Sequence, residues 1–174
     1  MTETQLRVLR PLLDRIIPAD DFSSATEAEV DTYVLRLLDT DLEYKRDQIE
    51  AGLDNLDAEA RAQFNGGFAE LTPEQQDQLL KTLEAGDGKT AWANDPKASA
   101  QETSSAKIGG AKISDVRITD TKAAGEKITA AKTWFAAMIA LAMEGFYSDP
   151  GNGGNKNEVS WKMVGYDPGA ARHA

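Results

Sequence analysis

The sequence predicts a mainly α fold: a small irregular helical domain with a long insert at about residues 87–125 and a glycine-rich aromatic C-terminal tail. Three observations carry this prediction. Apolar residues recur at three- and four-residue spacing through most of residues 4–85 and 126–146. Helix start and stop residues flank those stretches. Between Asp87 and Gly125 the composition shifts to Gly, Ser, Thr, Ala, Lys and Asp, with few large apolar side chains. No period of about 20 to 50 residues recurs, which argues against a solenoid, and 174 residues fit one domain spanning the whole chain.

Residues Thr4 to Ile17 form the first predicted helix, with Leu6, Leu9, Leu13 and Ile16 on one stripe and Pro18 ending it. Thr26 and Glu29 read as a capping box ahead of a second helix that faces Val30, Tyr33, Val34, Leu37 and Leu38 to one side. A third helical region runs from about Asp41 to Phe64 on Leu42, Ile49, Leu53 and Leu56, with a break near Asp57 and a stop at Gly66-Gly67. Thr72-Pro73-Glu74-Gln75 starts a fourth helix, combining a capping threonine, a proline at the first helical position and a glutamine three residues on. Leu79, Leu80 and Leu83 are its buried side, and Gly86 stops it. Within the insert, the Gly109-Gly110 pair suits a two-residue hairpin turn. With so few apolar residues, the insert is expected to be partly mobile or ordered only on a partner. The last helix, about Glu126 to Glu144, places Ile128, Ala131, Phe135, Met138, Ile139, Ala142 and Phe146 at helical spacing and is expected to be the central packing helix.

Composition excludes several functions. The absence of cysteine removes disulfides, thiolate nucleophiles and cysteine zinc sites, and the single histidine, His173, stands near the end of the chain. The longest apolar run, Trp134 to Met143, is about half of the ~20 residues a membrane span needs. Net charge is −10 and uneven: residues 1–86 hold 19 acids and 8 bases, whereas residues 87–174 hold 10 acids and 11 bases. The acidic front half should repel nucleic acid. The near-neutral aromatic half is the better candidate for meeting a protein partner.

Glu144-Gly145-Phe146-Tyr147-Ser148-Asp149-Pro150-Gly151-Asn152-Gly153-Gly154-Asn155, closed by Trp161 to Tyr166, joins an apolar helix to a glycine-rich tail. Glycines there let the backbone turn sharply or lie close against a neighbour. Phe146, Tyr147, Trp161 and Tyr166 supply the amphipathic area that anchors interfaces, with Trp161 and Tyr166 the leading anchors. A phosphate loop would need Lys followed by Ser or Thr, and Lys156 is followed by Asn157. A calcium loop starting at Asp149 fails because glycines occupy its third and fifth positions and Ser160 its last. Asp14, Asp20 and Asp149 are the carboxylates an acid/base enzyme would use, but aspartates beside Pro18 commonly make caps and turns. Asp14 and Arg15 read as ion-pairing or partner-contact residues.

Three stretches resemble the gluconate 2-dehydrogenase subunit 3 family: Leu12 to Asp20, Gln48 to Leu56 with Gly52-Leu53-Asp54 leading to Gly67-Phe68, and Gly145 to Tyr166. The resemblance implies a small non-catalytic subunit that assists folding, assembly and, in some members, export of a bacterial FAD-dependent dehydrogenase of the glucose-methanol-choline type. FAD and the hydride chemistry belong to that partner, and this chain is expected to bind no cofactor or metal. A cytochrome subunit is a further component some complexes would include. On this likeness Asp149, Pro150, Gly153, Gly154 and Asn155 join the aromatic anchors as partner-interface residues. Exported members carry a twin-arginine leader, and Met1 to Pro11 holds no leader pattern. The expected compartment is therefore the cytoplasm if Met1 is native and the periplasm if a leader was removed. The alternatives are a stand-alone acid/base enzyme and a helical adaptor for an unrelated protein.

Overall fold

A computed structural model describes residues 1–90, 92 and 129–167, and in these the chain forms six α-helices and no strand. The predicted hairpin around Gly109-Gly110 and most of the insert lie outside the described residues.

Helix α1 (Glu3–Ile16) starts at a reciprocal cap: the Gln5 N–H donates to Thr2 Oγ1 at 3.2 Å, and the Thr2 N–H to Gln5 Oε1 at 2.9 Å. Its buried stripe is Gln5, Val8, Leu9, Leu12 and Leu13, so the expected Leu6 and Ile16 sit at the stripe's edge, half-buried. Pro11 lies within the helix without ending it. Helix α2 (Val30–Asp39) does not use the predicted Thr26–Glu29 box. Glu29 instead occupies its N-cap in the left-handed region, φ 60°, without a side-chain cap. Ser24 and Glu27 make the reciprocal pair one turn earlier, at 3.0 and 3.4 Å.

A short 3-10 turn (Glu43–Lys45) leads into α3 (Arg46–Phe64), so the third helix begins later than Asp41. It is unbroken at Asp57, whose carboxylate accepts from the Phe68 N–H at 2.8 Å instead. Asn65, left-handed at φ 60°, ends it just before Gly66. Helix α4 (Pro73–Ala85) carries the predicted cap, with Thr72 and Gln75 reciprocally bonded and Gly86 left-handed at its end. Helix α5 (Ala130–Tyr147) is capped by the Thr129 hydroxyl, and α6 (Val159–Val164) follows two 3-10 turns.

Helix α5 is the centre of the packing and touches each of the other five helices. It buries Ala131, Trp134, Phe135, Met138, Leu141, Ala142, Gly145 and Phe146. Two close approaches make room for it. A Cβ built on Gly52 of α3 would lie 1.9 Å from Trp134 Nε1, so the indole occupies the space a side chain would take. A Cβ on Gly145 would lie 2.7 Å from Tyr33 Cδ1 and 2.9 Å from Val30 Cγ1, which fixes how near α5 lies to α2.

The chain leaving α4 is clasped rather than loose. Glu59 of α3, fully buried, accepts from the Lys89 N–H at 2.5 Å, the Thr90 N–H at 2.7 Å, the Thr90 hydroxyl and Gln63 Nε2 at 2.7 Å. Trp92 then packs on Trp134 with ring centroids 5.3 Å apart. The first residues of the expected insert are therefore part of the core's edge. Burial by itself raises the Glu59 pKa, but the four hydrogen bonds outweigh it and hold the carboxyl below its ordinary 4.5.

Two stability predictions follow from these contacts. Gly52→Ala should cost at least about 1–3 kcal/mol through overpacking against Trp134. In chemical denaturation, the double variant Gly52→Ala/Trp134→Leu should lose less than the sum of the single losses, and strict additivity would refute the contact. Because the folded Glu59 pKa is depressed, the clasp's contribution is full above the unfolded value near 4.5 and is lost as pH falls through the lower folded value. Glu59→Gln should remove that part of the acid dependence and cost about 1–3 kcal/mol at neutral pH. Parallel stability-versus-pH curves for the two proteins would refute the assignment.

Candidate partner interface

The tail from Ser148 folds back on the helices that precede it. Asp149 caps a 3-10 turn (Pro150–Asn152), its Oδ1 accepting from the Gly151 N–H at 2.8 Å, and Arg36 of α2 donates to the Gly151 carbonyl at 2.7 Å. Gly153, at φ 104°, passes over Thr32 and Tyr33. Gly154 lies so near the Gly145 carbonyl that a Cβ would be 2.2 Å from it. The Lys156 N–H then donates to the Ala28 carbonyl at 3.0 Å, and its ammonium pairs with Glu29 at 2.6 Å.

Asn155 is fully buried: its Nδ2 donates to the Ser148 carbonyl at 2.8 Å, and its Oδ1 accepts from the Ser160 N–H at 2.9 Å. Helix α6 follows and ends at left-handed Gly165, the Tyr166 N–H returning to the Trp161 carbonyl at 2.8 Å. The Trp161 and Tyr166 rings meet edge to face, 5.3 Å apart at 78°.

The expected interface residues divide into two groups. Phe146, Gly154 and Asn155 face inward, and Gly153 is half-buried over α2. Tyr147, Asp149 and Tyr166 are exposed, and Pro150 and Trp161 are half-buried. Asp14 accepts from the Thr26 N–H at 2.9 Å and from its hydroxyl at 2.7 and 2.8 Å, tying α1 to the turn before α2. Arg15 makes a bidentate pair with Asp77 of α4 at 2.7 and 3.0 Å. Asp20 accepts from the Phe22 N–H at 2.8 Å. All three carboxylates considered for acid/base work thus accept hydrogen bonds within local turns or between neighbouring elements.

Among the described residues six large apolar side chains are exposed, and four of them, Met143, Tyr147, Val164 and Tyr166, fall in the C-terminal stretch. On α5, Ala136, Ala140, Met143 and Tyr147 recur at helical spacing on its exposed side. This outer stripe was not singled out from the sequence. Its signal was the uncharged run Trp134 to Met143, which lacks the polar face a solvated helix normally carries. Tyr33, buried beneath Gly145, has its phenol pKa pushed well up by burial and by neighbouring Glu144.

Among the described residues no group of three or more His, Cys, Asp or Glu could hold a metal ion, and no helix is long and apolar enough to cross a membrane. An open depression of about 550 Å³ along α4 is lined by Glu74, Gln78, Lys81, Thr82, Ala85 and Asp87.

These features define a small helical domain whose elements are tied by side-chain hydrogen bonds and whose C-terminal stretch exposes several apolar and aromatic side chains. The chain belongs to the gluconate 2-dehydrogenase subunit 3 family, whose model matches residues 3–169. No match was found among curated proteins or among solved structures.

If Asp14 is a structural tie, Asp14→Asn should lower stability by about 1–3 kcal/mol, because the amide presents donors to the Thr26 donors. Denaturant midpoints for Asp14→Asn, Thr26→Val and the double variant test this. A double variant no more destabilised than the worse single one is the expected result, and simple additivity would argue against the tie.

Proposed function

We propose that this chain is the non-catalytic small subunit of a heteromeric, FAD-dependent sugar or polyol dehydrogenase, and that it assists folding and assembly of the catalytic flavoprotein. The observation that carries the reading is family membership across residues 3–169. The exposed apolar side chains at the C-terminal end supply a physical means. Tyr147, Trp161 and Tyr166, together with the outer stripe of α5, are the side chains this surface offers to the large subunit. Burying them would stabilise that subunit's FAD-competent fold by mass action: a partner at about 100 times its dissociation constant contributes about 2.7 kcal/mol. An obligate interface of this kind buries ~2,000 Å² or more. Export of the flavoprotein with this chain, and the presence of a cytochrome subunit, are further parts of the same reading.

The test is co-expression with the glucose-methanol-choline type flavoprotein subunit of the same organism. Flavin absorbance and sugar oxidation should appear in the complex, and neither in this chain alone. Trp161→Ala or Tyr166→Ala should raise the dissociation constant about thirtyfold, the equivalent of ~2 kcal/mol, while the helicity of the free chain is retained. Stoichiometric flavin in the isolated chain would overturn the reading. So would variants that melt far lower yet still bind normally.

A further inference from the structure

Four residues within a span of six, Gly153, Asn155, Asn157 and Glu158, have positive φ, at 104°, 50°, 58° and 58°. Three of them are not glycine, and such conformations persist only where surrounding contacts over-determine them. The contacts converge on Asn155. Its side chain is completely buried and joins the end of α5, through the Ser148 carbonyl, to the first turn of α6, through the Ser160 N–H. The residues on either side are held separately, Gly154 against the Gly145 carbonyl and Lys156 to the Ala28 carbonyl and the Glu29 carboxylate.

Helix α6 has only six residues, too short to be stable by itself in water. Its first-turn Ser160 N–H has no earlier helical carbonyl to bond, and Asn155 Oδ1 supplies the acceptor.

We propose that Asn155 is the positioning residue for α6. By bridging α5 and α6 it fixes the direction in which Trp161, Val164 and Tyr166 are presented to the large subunit. This inference rests on the subunit reading above. Asn155 has no exposed surface with which to touch a partner, so its effect on assembly runs through the helix it holds. Both functions of the amide are required: Nδ2 as donor toward α5, and Oδ1 as acceptor toward α6.

Two variants separate the roles. Asn155→Gly keeps access to the left-handed backbone and removes both hydrogen bonds. Asn155→Asp keeps the acceptor for Ser160 and removes the donor to Ser148. Amide exchange of the full chain and affinity for the co-expressed flavoprotein subunit are measured for each. For Asn155→Gly, the amides of 159–164 should exchange about tenfold to a hundredfold faster, while those of α3 and α4 keep wild-type protection. Affinity for the flavoprotein should fall about tenfold or more, and Asn155→Asp, whose buried carboxylate would face the Ser148 carbonyl without a proton to donate, should lose at least as much in both measurements.

Unchanged protection of 159–164 in Asn155→Gly would overturn the inference. So would equal loss of protection in α3 and α4, which would make Asn155 a general core residue. Loss of protection confined to 159–164 with affinity unchanged would leave Asn155 as the residue that holds α6, and would sink instead the reading that the tail docks on the large subunit.

Discussion

The fold depends on how closely one helix can lie against its neighbours. Helix α5 touches the other five helices and carries bulky side chains such as Trp134, Phe135 and Phe146. Those contacts require places where a Cβ is missing. Gly52 gives the Trp134 indole its seat on α3, and Gly145 lets α5 approach Tyr33 and Val30 of α2. Interiors pack at crystal-like density, so an added methyl at either position has nowhere to go without moving a helix. The same approach at Gly145 exposes its carbonyl to Gly154, so the seating of the tail follows from the seating of α5.

Around that apolar centre, α1 acts as a polar tie rod. Gln5 reaches Asp54 of α3 at 3.1 Å, Arg10 reaches Asp31 of α2 at 2.9 Å, Asp14 holds Thr26, and Arg15 holds Asp77 of α4. Four acids of a chain with net charge −10, Asp14, Asp31, Asp54 and Asp77, are therefore engaged in contacts that α1 makes. Individually such surface-proximal pairs contribute little, but spread along one helix they fix its register against three others. The exposed apolar side chains of the C-terminal stretch are carried by α5 and the tail.

What was legible in the sequence is what short-range chemistry decides. Thr72, Pro73, Gln75 and Gly86 bound α4 where the helix signals placed it, because a cap involves residues three or four positions apart. The box before α2 failed for an instructive reason. Ser24–Glu27 and Thr26–Glu29 both fit the same spacing, and the Thr26 hydroxyl is taken by Asp14, twelve residues upstream and on another helix. Glu59 is a sharper case: it stands on the third helix outside the apolar stripe of Ile49, Leu53 and Leu56, and its partners Lys89 and Thr90 are about thirty residues away. In the tail, the glycine pattern correctly implied close backbone contact, but a pattern does not say with what. Gly154 approaches the chain's own Gly145. Gly52, within a stretch that carried the family resemblance, is likewise legible as a glycine but not as the seat of Trp134.

In the proposed docking role, the inward use of Gly153, Gly154 and Asn155 would make the tail a preformed element rather than a flexible peptide. A flexible aromatic peptide would lose backbone and side-chain freedom on binding, at about 1–2 kcal/mol for each residue fixed. Here the left-handed turns, the Asn155 bridge and the Lys156 tie to α2's approach settle that loss during folding. In that proposed role, Trp161 on α6 and Tyr166 just beyond its end, already edge to face, would meet a partner as a rigid pair. Pre-organisation of this kind turns contact area into affinity more efficiently, because less freedom remains to be lost at the interface. It would also make the proposed docking surface conditional on the core, because Gly154 and Lys156 rest on the Gly145 and Ala28 carbonyls. A subunit built this way would present its aromatic pair only once it had itself folded.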